Sequence, residues 1–207
     1  MDRAAWNERY REKELLWTAE PNLFLVEAVA GLEPGTALDL AAGEGRNAVW
    51  LAGQGWRVDA VDFSTVALDK GRALAGHEGV EVAFEHRDLT TWAPPPDSYD
   101  LVIVVYLHLP LPVRRSVWRG AAAAVGPAGR IVVIGHDLEN LTRGYGGPQQ
   151  ADVLYRAEEV AGVVSERLEV LRADEVIRTV ETEEGVAEAI DNIVIAVSSQ
   201  PGRYGTD

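Results

Sequence analysis

Short apolar runs alternate with segments of helical periodicity along most of the chain. The runs are rich in Val, Ile, Leu and Ala, which is typical of strands buried on both faces of a sheet. Strands are predicted over residues 37–40, 57–61, 80–86, 101–106, 130–135, 168–180 and 189–198. Helices are predicted over residues 23–30, 46–54, 65–74, 113–124 and 151–165. This alternation favours a parallel sheet with helices on both faces.

The last two predicted strands break the alternation. Only Thr182-Glu183-Glu184-Gly185 separates them, which suits a hairpin and is too short for a parallel crossover. We therefore predict an α/β fold: a Rossmann-like, doubly wound, seven-stranded and mostly parallel sheet with an antiparallel last strand. The length of 207 residues and the 47% hydrophobic content suit a single domain over residues 1–207. Within it we expect a helical leader (1–30), a flexible loop (143–150) and a frayed tail (201–207).

The most informative segment follows the first predicted strand and contains Gly43 and Gly45. Without a Cβ atom, these residues can adopt positive φ and let a ligand lie against main chain whose amides, at a helix start, are unpaired. Asp62 ends the second predicted strand about 20 residues farther on, where a carboxylate can bind ribose hydroxyls. The pattern predicts a nucleotide-cofactor crevice at the carboxyl ends of the strands.

Two classes of adenine cofactor fit this pattern, and the charges near the turn separate them. A dinucleotide brings a pyrophosphate, which favours positive or neutral surroundings, but Asp39 precedes the turn and Glu44 lies between the glycines. S-adenosylmethionine brings an ammonium and a sulfonium, which carboxylates attract. The spacing of Gly43, Gly45 and Ala48 also satisfies the dinucleotide fingerprint. A nicotinamide-dependent oxidoreductase is therefore the alternative, and the terminal hairpin argues against it.

The segment Asp39-Leu40-Ala41-Ala42-Gly43-Glu44-Gly45-Arg46-Asn47 resembles the class I S-adenosylmethionine-dependent methyltransferases. More narrowly, it resembles the tellurite-resistance-type and related small-molecule methyltransferases of bacteria. The resemblance extends from about Trp6 to Ser198 and is specific over residues 37–62. It implies S-adenosylmethionine as the cofactor. The methionine portion of this cofactor would lie at the turn, from Ala41 to Gly45, and its ribose would lie at Asp62 beside Phe63. Asp39 would either contact the ligand or tie down the amides of the turn.

The resemblance also assigns roles to residues after the later strands and in the leader. It implies that Asp88 accepts a hydrogen bond from the adenine amine and that the amide of Leu89 meets a ring nitrogen; the alternative for Asp88 is a turn. Tyr106 lies where the family places residues near the transferred methyl group. Because the leader of the family often folds over the cofactor, Trp6 and Tyr10 are candidates to line the site. They share a helix face, so the alternative is packing on the sheet.

Methyl transfer needs mainly the alignment of donor and acceptor and the exclusion of water, since the sulfonium already activates the methyl carbon. A general base is needed only for a protonated acceptor atom. His108 and His136, each after a predicted strand, are the candidates, because a neutral imidazole accepts a proton near pH 7. The alternative for each is a hydrogen-bonded structural role. Tyr145 lies in the glycine-rich loop, where either a lid contacting the acceptor or a plain linker belongs.

Composition narrows the classes of partner. The formal charge of -14 argues against a nucleic-acid substrate, which clustered Lys and Arg would bind. Cysteine is absent, so disulfides and thiolate metal sites are excluded and no metal is expected. Neither an apolar run of about 18 residues nor a secretory signal is found, so we expect a cytoplasmic protein without a membrane partner.

These observations together predict a methyltransferase acting on oxygen, nitrogen, sulfur or a metalloid of a small-molecule acceptor. The oligomeric state is left open. A second alternative is a non-catalytic S-adenosylmethionine-binding module, because its cofactor motifs would look the same.

Overall fold

A computed structural model describes residues 3–12, 15, 18–182 and 185–201 of the chain. Its centre is a seven-stranded sheet in the order β3-β2-β1-β4-β5-β7-β6. The strands are β1 Thr36–Leu40, β2 Arg57–Asp62, β3 Val82–His86, β4 Tyr99–Val105, β5 Val125–His136, β6 Glu169–Thr182 and β7 Gly185–Val197. Strands β1 to β5 pair in parallel, whereas β7 runs antiparallel to both β5 and β6. The predicted fold class is confirmed.

Helices cover both faces of this sheet. They are α1 Arg3–Arg11, α2 Leu23–Val29, α3 Arg46–Gly53, α4 Thr65–Glu78, α5 Leu111–Ala124, α6 Asn140–Arg143 and α7 Ala157–Val164. One core cluster joins the sheet to α2 and α3 through Leu25 and Leu51. The other joins it to α5 and α7 through Trp118 and Val160. Burial on both faces explains why the central strands are continuous apolar runs.

The strand order reverses at β1, which lies between β2 and β4. In open α/β sheets, ligands bind in the crevice outside the carboxyl ends of the strands at such a switch point. The residues that leave the two strands there, Ala41 and Tyr106, have φ values of 61° and 59°. Positive φ is unfavourable for residues with a Cβ atom and is concentrated at functional sites. The backbone therefore marks the same crevice that the glycine turn predicts.

The helix predicted over residues 151–165 is only partly correct. Ala151–Val153 is a turn of 3₁₀ helix, and α7 begins at Ala157. The intervening Leu154 and Tyr155 are buried, with 1% and 0% exposure. The main chain is extended at Leu154 and at Arg156, which ends the first turn. The side chain of Glu159 accepts from the main-chain N–H of Arg156 and starts α7. The short helix α6 was not predicted.

Strands β6 and β7 continue beyond the end of β5 as a two-stranded extension, here called the ribbon (residues 177–182 and 185–190). Pairing with β5 stops at Asp191, while β6 and β7 stay paired up to Thr182 and Gly185. The predicted hairpin is confirmed, although residues 183 and 184 of its connection lie outside the described residues. Trp17 of the predicted leader and residues 202–207 of the predicted tail also lie outside them. Among the described helices, none is both long and apolar enough to cross a membrane.

Replacing Leu38 tests the contribution of the sheet core. Leu38 of β1 is fully buried, and truncation leaves a cavity in addition to the lost burial. We expect Leu38→Ala to lower the free energy of unfolding by about 2–5 kcal/mol. Leu171→Ala on β6, where the side chain is 55% exposed, is the matched control and should cost less than about 0.5 kcal/mol. Urea unfolding followed by circular dichroism measures both, and equal losses would contradict the assigned core.

Candidate cofactor and acceptor site

Asp62 holds the glycine turn in place. Its Oδ2 atom accepts from the Gly43 N–H at 3.0 Å and its Oδ1 atom from the Ser64 N–H at 2.8 Å. Gly45 has a φ of 76°, and a Cβ atom there would lie 2.7 Å from the Phe84 ring. Asp62 does not cap α4, because Ser64 accepts from the Ala67 N–H at that helix start. A carboxylate oxygen can accept a second hydrogen bond, so these contacts are compatible with the predicted role of Asp62 toward ribose.

Asp39 carries a buried carboxylate that is incompletely paired. The side chain is 1% exposed, and Oδ2 has no hydrogen-bond partner within the described ranges. Burial, reinforced by the negative charge of Asp62, raises the pKa of Asp39 to about 7, against the opposing effects of Arg46 and a main-chain bond from Ala48. Leaving a buried carboxylate oxygen unpaired is costly. The unpaired carboxylate oxygen of Asp39, which can accept a hydrogen bond and carries negative charge, therefore fits the ammonium or sulfonium of S-adenosylmethionine.

Glu44, the second carboxylate near the turn, has a different role from the one that its sequence position indicates. Its buried side chain forms an ion pair with Lys70 of α4, with Nζ 3.1 Å from Oε1. Lys70 also donates to the main-chain oxygen of Tyr10. The charge of Glu44 is therefore offset inside the protein, and the electrostatic argument for a cationic cofactor rests on Asp39.

The leader helix α1 packs over the glycine turn. Tyr10 is buried, and a Cβ atom on Gly43 would lie 2.9 Å from its Oη atom. Ser64 donates from Oγ to Oδ1 of Asn7 at 2.6 Å, which joins α1 to the start of α4. The ring of Trp6 lies 5.6 Å from that of Tyr10. The structure thus brings Tyr10 directly to the turn and Trp6 next to it.

The residues predicted at the adenine lie beyond β2 and β3. Asp88 is exposed and accepts from the N–H and Oγ1 of Thr90 at 2.9 and 2.7 Å, which is the turn that was the alternative role. Leu89 packs against the core. Phe63 is half-buried, and its main-chain oxygen is 3.0 Å from Nε2 of His86. These residues share the edge of the sheet with Asp62, and their contact with adenine stays a prediction.

A group of polar side chains occupies the other side of the crevice. It is here called the Asp191 cluster and consists of Tyr106, His136, Arg178 and Asp191. Asp191 is fully buried on β7. Its Oδ1 atom accepts from Nδ1 of His136 at 2.8 Å, and its Oδ2 atom accepts from Oη of Tyr106 at 2.6 Å and from Nε of Arg178 at 2.9 Å. Burial alone would raise the pKa of Asp191, but the hydrogen bonds and positive charge hold it below its usual range.

Tyr106 joins the two sides of the crevice. Burial, with the negative charge of Asp191, raises the pKa of Tyr106, so its hydroxyl stays neutral and donates to that carboxylate. The same hydroxyl accepts from Nδ2 of Asn22, at 3.3 Å, and Asn22 caps the start of α2. Tyr106 was predicted at the cofactor; its hydroxyl joins Asp191 to the start of α2, and its contact with the cofactor stays a prediction.

The two candidate histidines stack on each other but have different hydrogen bonds. Their ring centroids are 5.2 Å apart. In His108, Nδ1 donates to the Val153 oxygen at 3.2 Å and Nε2 accepts from the His136 N–H at 3.4 Å, so both nitrogens are used. Burial, then the nearby His136, lowers the pKa of His108 to about 4. In His136, Nδ1 faces Asp191, and Nε2 has no hydrogen-bond partner among the residues that the structure describes.

The glycine-rich loop lies against His136. A Cβ atom on Gly147 would lie 2.9 Å from Cδ2 and 3.1 Å from Nε2 of that histidine. The loop is held by the Tyr145 N–H, which donates to the Glu188 oxygen of the ribbon, and by Nδ2 of Asn140, which donates to the Gly146 oxygen. The Tyr145 side chain is exposed. The predicted flexibility of this loop and the predicted role of Tyr145 stay predictions.

Sequence reasoning missed Asp191 and Arg178. A signal was present for Asp191, because Asp191 and Asn192 interrupt an otherwise apolar run from Ala189 to Ala196, a stretch of strand that is buried throughout. Buried charges are rare unless they are paired. Arg178 had no such signal, since it stands among the alternating charges of β6.

Comparison with known proteins bears on the class of protein to which the chain is similar. Residues 37–129 match the family described as a methyltransferase domain. This match, which covers less than half of the chain, supports the predicted resemblance to the class I S-adenosylmethionine-dependent methyltransferases. The same match supports S-adenosylmethionine as the cofactor over the nicotinamide alternative. A curated relative, the demethylmenaquinone methyltransferase of Clavibacter sepedonicus, is 37% identical over 107 residues, which are 51% of this chain and 43% of the relative. The match thus spans less than half of that relative.

Solved structures share the fold. TehB from Haemophilus influenzae superposes with a TM-score of 0.71 at 17% identity, over 93% of this chain and 67% of TehB. An S-adenosylmethionine-dependent methyltransferase from Methanosarcina mazei gives a TM-score of 0.66 at 14% identity, over 86% of this chain and 98% of that one. At these identities the likeness establishes the fold and leaves the acceptor undetermined.

The raised pKa of Asp39 predicts that cofactor affinity depends on pH. Below about 7 the carboxyl is protonated in the ligand-free protein, and a cationic ligand favours the carboxylate. Calorimetry with S-adenosylmethionine between pH 5.5 and 7.5 should show affinity rising with pH, by at most about tenfold per unit, with release of a proton on binding. Asp39→Asn should bind more weakly and without this dependence. A pH-independent affinity of the unaltered protein would contradict the prediction.

The two loop glycines form a matched pair for testing the loop contact. Gly146 and Gly147 have φ values of 73° and 72°, so alanine strains both similarly, by about 1 kcal/mol. Only at Gly147 would the new Cβ atom meet His136, because nothing lies within 4 Å at Gly146. We expect Gly147→Ala alone to shift the imidazole signals of His136 in nitrogen-correlated NMR spectra. Identical spectra for the two variants would show that the loop does not contact His136.

Proposed function

We propose that this chain transfers a methyl group from S-adenosylmethionine to a small-molecule acceptor, with His136 as general base. The observation that carries the proposal is the hydrogen bond between His136 and the buried Asp191, at the same sheet edge as the glycine turn. The bound cofactor would supply a methyl carbon activated by the sulfonium, which takes the electrons of the broken bond.

Residues of β1, β2 and the leader would hold the cofactor. The bare main chain of Gly43 and Gly45 lets a ligand approach closely, and Asp39 offers an unpaired oxygen to a positive group. Asp62, with Phe63, would bind the ribose, while Asp88 and Leu89 would lie at the adenine. Tyr10 of α1, buried over the turn and with Trp6 beside it, would exclude water from this half of the site.

His136 is suited to take a proton from the acceptor. The hydrogen bond from Nδ1 to Asp191 orients the ring and leaves Nε2 to act as the base, and Asp191 would stabilise the imidazolium that results. His108 cannot serve in the same way without breaking a hydrogen bond to the main chain. We therefore assign His108 a positioning role, in which it supports the ring and main chain of His136.

The acceptor side would be closed by the ribbon and the glycine-rich loop. Tyr145, exposed on that loop, would contact the acceptor. The curated relative acts on demethylmenaquinone by its name, so a ring hydroxyl or ring carbon belongs among the first acceptors to test, with thiols, amines and tellurite beside it.

Transfer of radiolabelled methyl from S-adenosylmethionine to this acceptor panel tests the proposal. With the best acceptor, His136→Gln should lower the turnover number by about 10²-fold or more, as expected for loss of a general base. The affinity for S-adenosylhomocysteine should stay unchanged, which separates loss of the base from loss of the site.

His77→Gln is the control, because His77 lies on α4 with 79% of its side chain exposed. It should leave turnover unchanged. Full turnover in His136→Gln would remove the histidine from the mechanism. Binding of S-adenosylhomocysteine without transfer to any acceptor would support the non-catalytic alternative instead.

A further inference from the structure

The backbone of Tyr106 is strained. Tyr106 directly follows β4 with a φ of 59°, a conformation that residues with a Cβ atom rarely adopt and that is concentrated at functional sites. Its main-chain N–H donates to the Ile134 oxygen of β5 at 2.8 Å. A strained conformation persists only where the surrounding contacts hold the residue in place, so the contacts of the Tyr106 side chain have to offset the cost of the strain.

The side chain of Tyr106 contacts the three other members of the Asp191 cluster. Its hydroxyl donates to Oδ2 of Asp191 at 2.6 Å. The centre of its ring is 4.7 Å from that of His136, with 28° between the ring planes, which is a stacked contact. Cζ of Arg178 lies 5.8 Å from the ring centre, within range of a cation–π interaction. Tyr106 thus contacts both the carboxylate that orients His136 and the imidazole itself.

Asn22 fixes the direction in which the Tyr106 hydroxyl donates. Oδ1 of Asn22 accepts from the Leu25 N–H at 3.1 Å as the N-cap of α2, so Nδ2 is the atom that faces Tyr106, at 3.3 Å. An amide nitrogen only donates and a carboxylate only accepts. The hydroxyl proton therefore lies on the side of Asp191. Asn22 is 4% exposed and Asp191 is 0% exposed, so bulk water has little access to this path.

The two oxygens of Asp191 are divided among its donors. Oδ2 accepts from Tyr106 and Arg178, which leaves Oδ1 to Nδ1 of His136 at 2.8 Å. Because the carboxylate only accepts, the proton of the neutral imidazole lies on Nδ1 and the lone pair lies on Nε2. The hydrogen bond from Tyr106 to Oδ2 thus bears on the orientation of the carboxylate and on the share of its negative charge that acts on His136.

We propose that Tyr106 is a positioning residue for His136, and that Asn22 orients the Tyr106 hydroxyl for this role. The hydroxyl holds the carboxylate of Asp191 in the orientation that directs Nε2 of His136 toward the acceptor, and the ring limits rotation of the imidazole by stacking against it. This inference rests on the proposed function, in which His136 takes a proton from the acceptor. It concerns the hydroxyl, which is paired within the protein on both sides, and leaves the ring of Tyr106 available to the cofactor.

The variant Tyr106→Phe tests the inference, because it removes the hydroxyl and keeps the ring. The first measurement is the nitrogen-correlated NMR spectrum of the ligand-free protein, in which the His136 signals are assigned by their loss in His136→Gln. Hδ1 of His136 should move downfield in Tyr106→Phe, since two donors instead of three then share the charge of Asp191 and Nδ1 donates to a more negative oxygen.

Turnover is the second measurement. With saturating S-adenosylmethionine and the best acceptor of the panel, Tyr106→Phe should lower the turnover number about tenfold, because the base is no longer held in line with the acceptor. The KM of the acceptor and the affinity for S-adenosylhomocysteine should stay unchanged, because the hydroxyl contacts neither ligand. The thermal midpoint of each variant verifies that it is folded.

Tyr99→Phe is the matched control. Tyr99 is the first residue of β4, and its hydroxyl donates to Oδ2 of Asp59 at 2.8 Å. The control therefore loses the same kind of hydrogen bond at the other end of the same strand. It should leave the His136 signals and the turnover number unchanged. Equal turnover numbers in Tyr106→Phe and Tyr99→Phe, or unshifted His136 signals in Tyr106→Phe, would each overturn the inference.

The variant Asn22→Ser separates the orienting role of Asn22 from helix capping. Serine keeps an oxygen that can accept from the Leu25 N–H, but it lacks the Nδ2 donor to Tyr106. We expect a smaller loss of turnover than in Tyr106→Phe, and no further loss when the two substitutions are combined, because the path through the hydroxyl is then already removed. Additive losses would show that Asn22 acts independently of Tyr106 and would overturn its assigned role.

Two further outcomes separate this inference from the proposed function. If the unaltered protein methylates no acceptor, the proposed function fails, and the spectra of the ligand-free protein still decide whether Tyr106 positions His136. If S-adenosylhomocysteine binds more weakly to Tyr106→Phe than to the unaltered protein, the hydroxyl serves the cofactor, and the positioning role is wrong.

Discussion

A carboxylate that is fully removed from water must be paired with hydrogen-bond donors. For Asp191 on β7, these donors come from the chain of three other strands. Its partners are Tyr106 directly after β4, His136 at the end of β5 and Arg178 within β6, while Asp191 itself lies on β7. Removing one partner of such a buried group typically costs several kcal/mol, because the charge is left uncompensated. The antiparallel end of the sheet is therefore bound to the parallel part by side chains as well as by main-chain pairing.

On the cofactor side of the crevice, the buried carboxylates are paired mainly with main-chain amides. Asp62 uses both carboxylate oxygens to hold amides of the turn and of α4, and it lies close enough to Asp39 to raise the pKa of that residue. Two acidic groups share one buried region, and at Asp39 a single main-chain bond and Arg46 offset the effects of burial and of Asp62 only in part. Such a region is poised for a cation, which is the opposite of a pyrophosphate site.

Much of this architecture could be predicted from the sequence, because it depends on local signals. Buried parallel strands appear as apolar runs, and the hairpin appears as a connection too short for a crossover. The helix predicted from residue 151 failed over its first part, since periodicity does not reveal that Leu154 and Tyr155 both point into the core. The glycine turn and Asp62 were found for the same local reasons, as neighbours of strand ends.

Such local signals could not predict contacts between residues that are distant in the sequence. His136 and Asp191 are 55 positions apart, and no sequence signal in either segment indicates their contact. The charge of Glu44 was correctly noticed, but Lys70, 26 positions away, offsets it. Arg178 is one of several charged residues on β6, and only the fold distinguishes it from Arg172. Local chemistry thus predicted the candidate cofactor half, whereas the Asp191 cluster is recognisable only from three-dimensional proximity.

The ribbon has a consequence for how this fold can diversify. It contributes Arg178 and holds the glycine-rich loop through Glu188, yet none of the hydrogen bonds described at the glycine turn comes from its residues. Insertions or substitutions in the ribbon can accumulate without disturbing the cofactor half. The ribbon side of the crevice can therefore change during evolution independently of the side that carries the glycine turn.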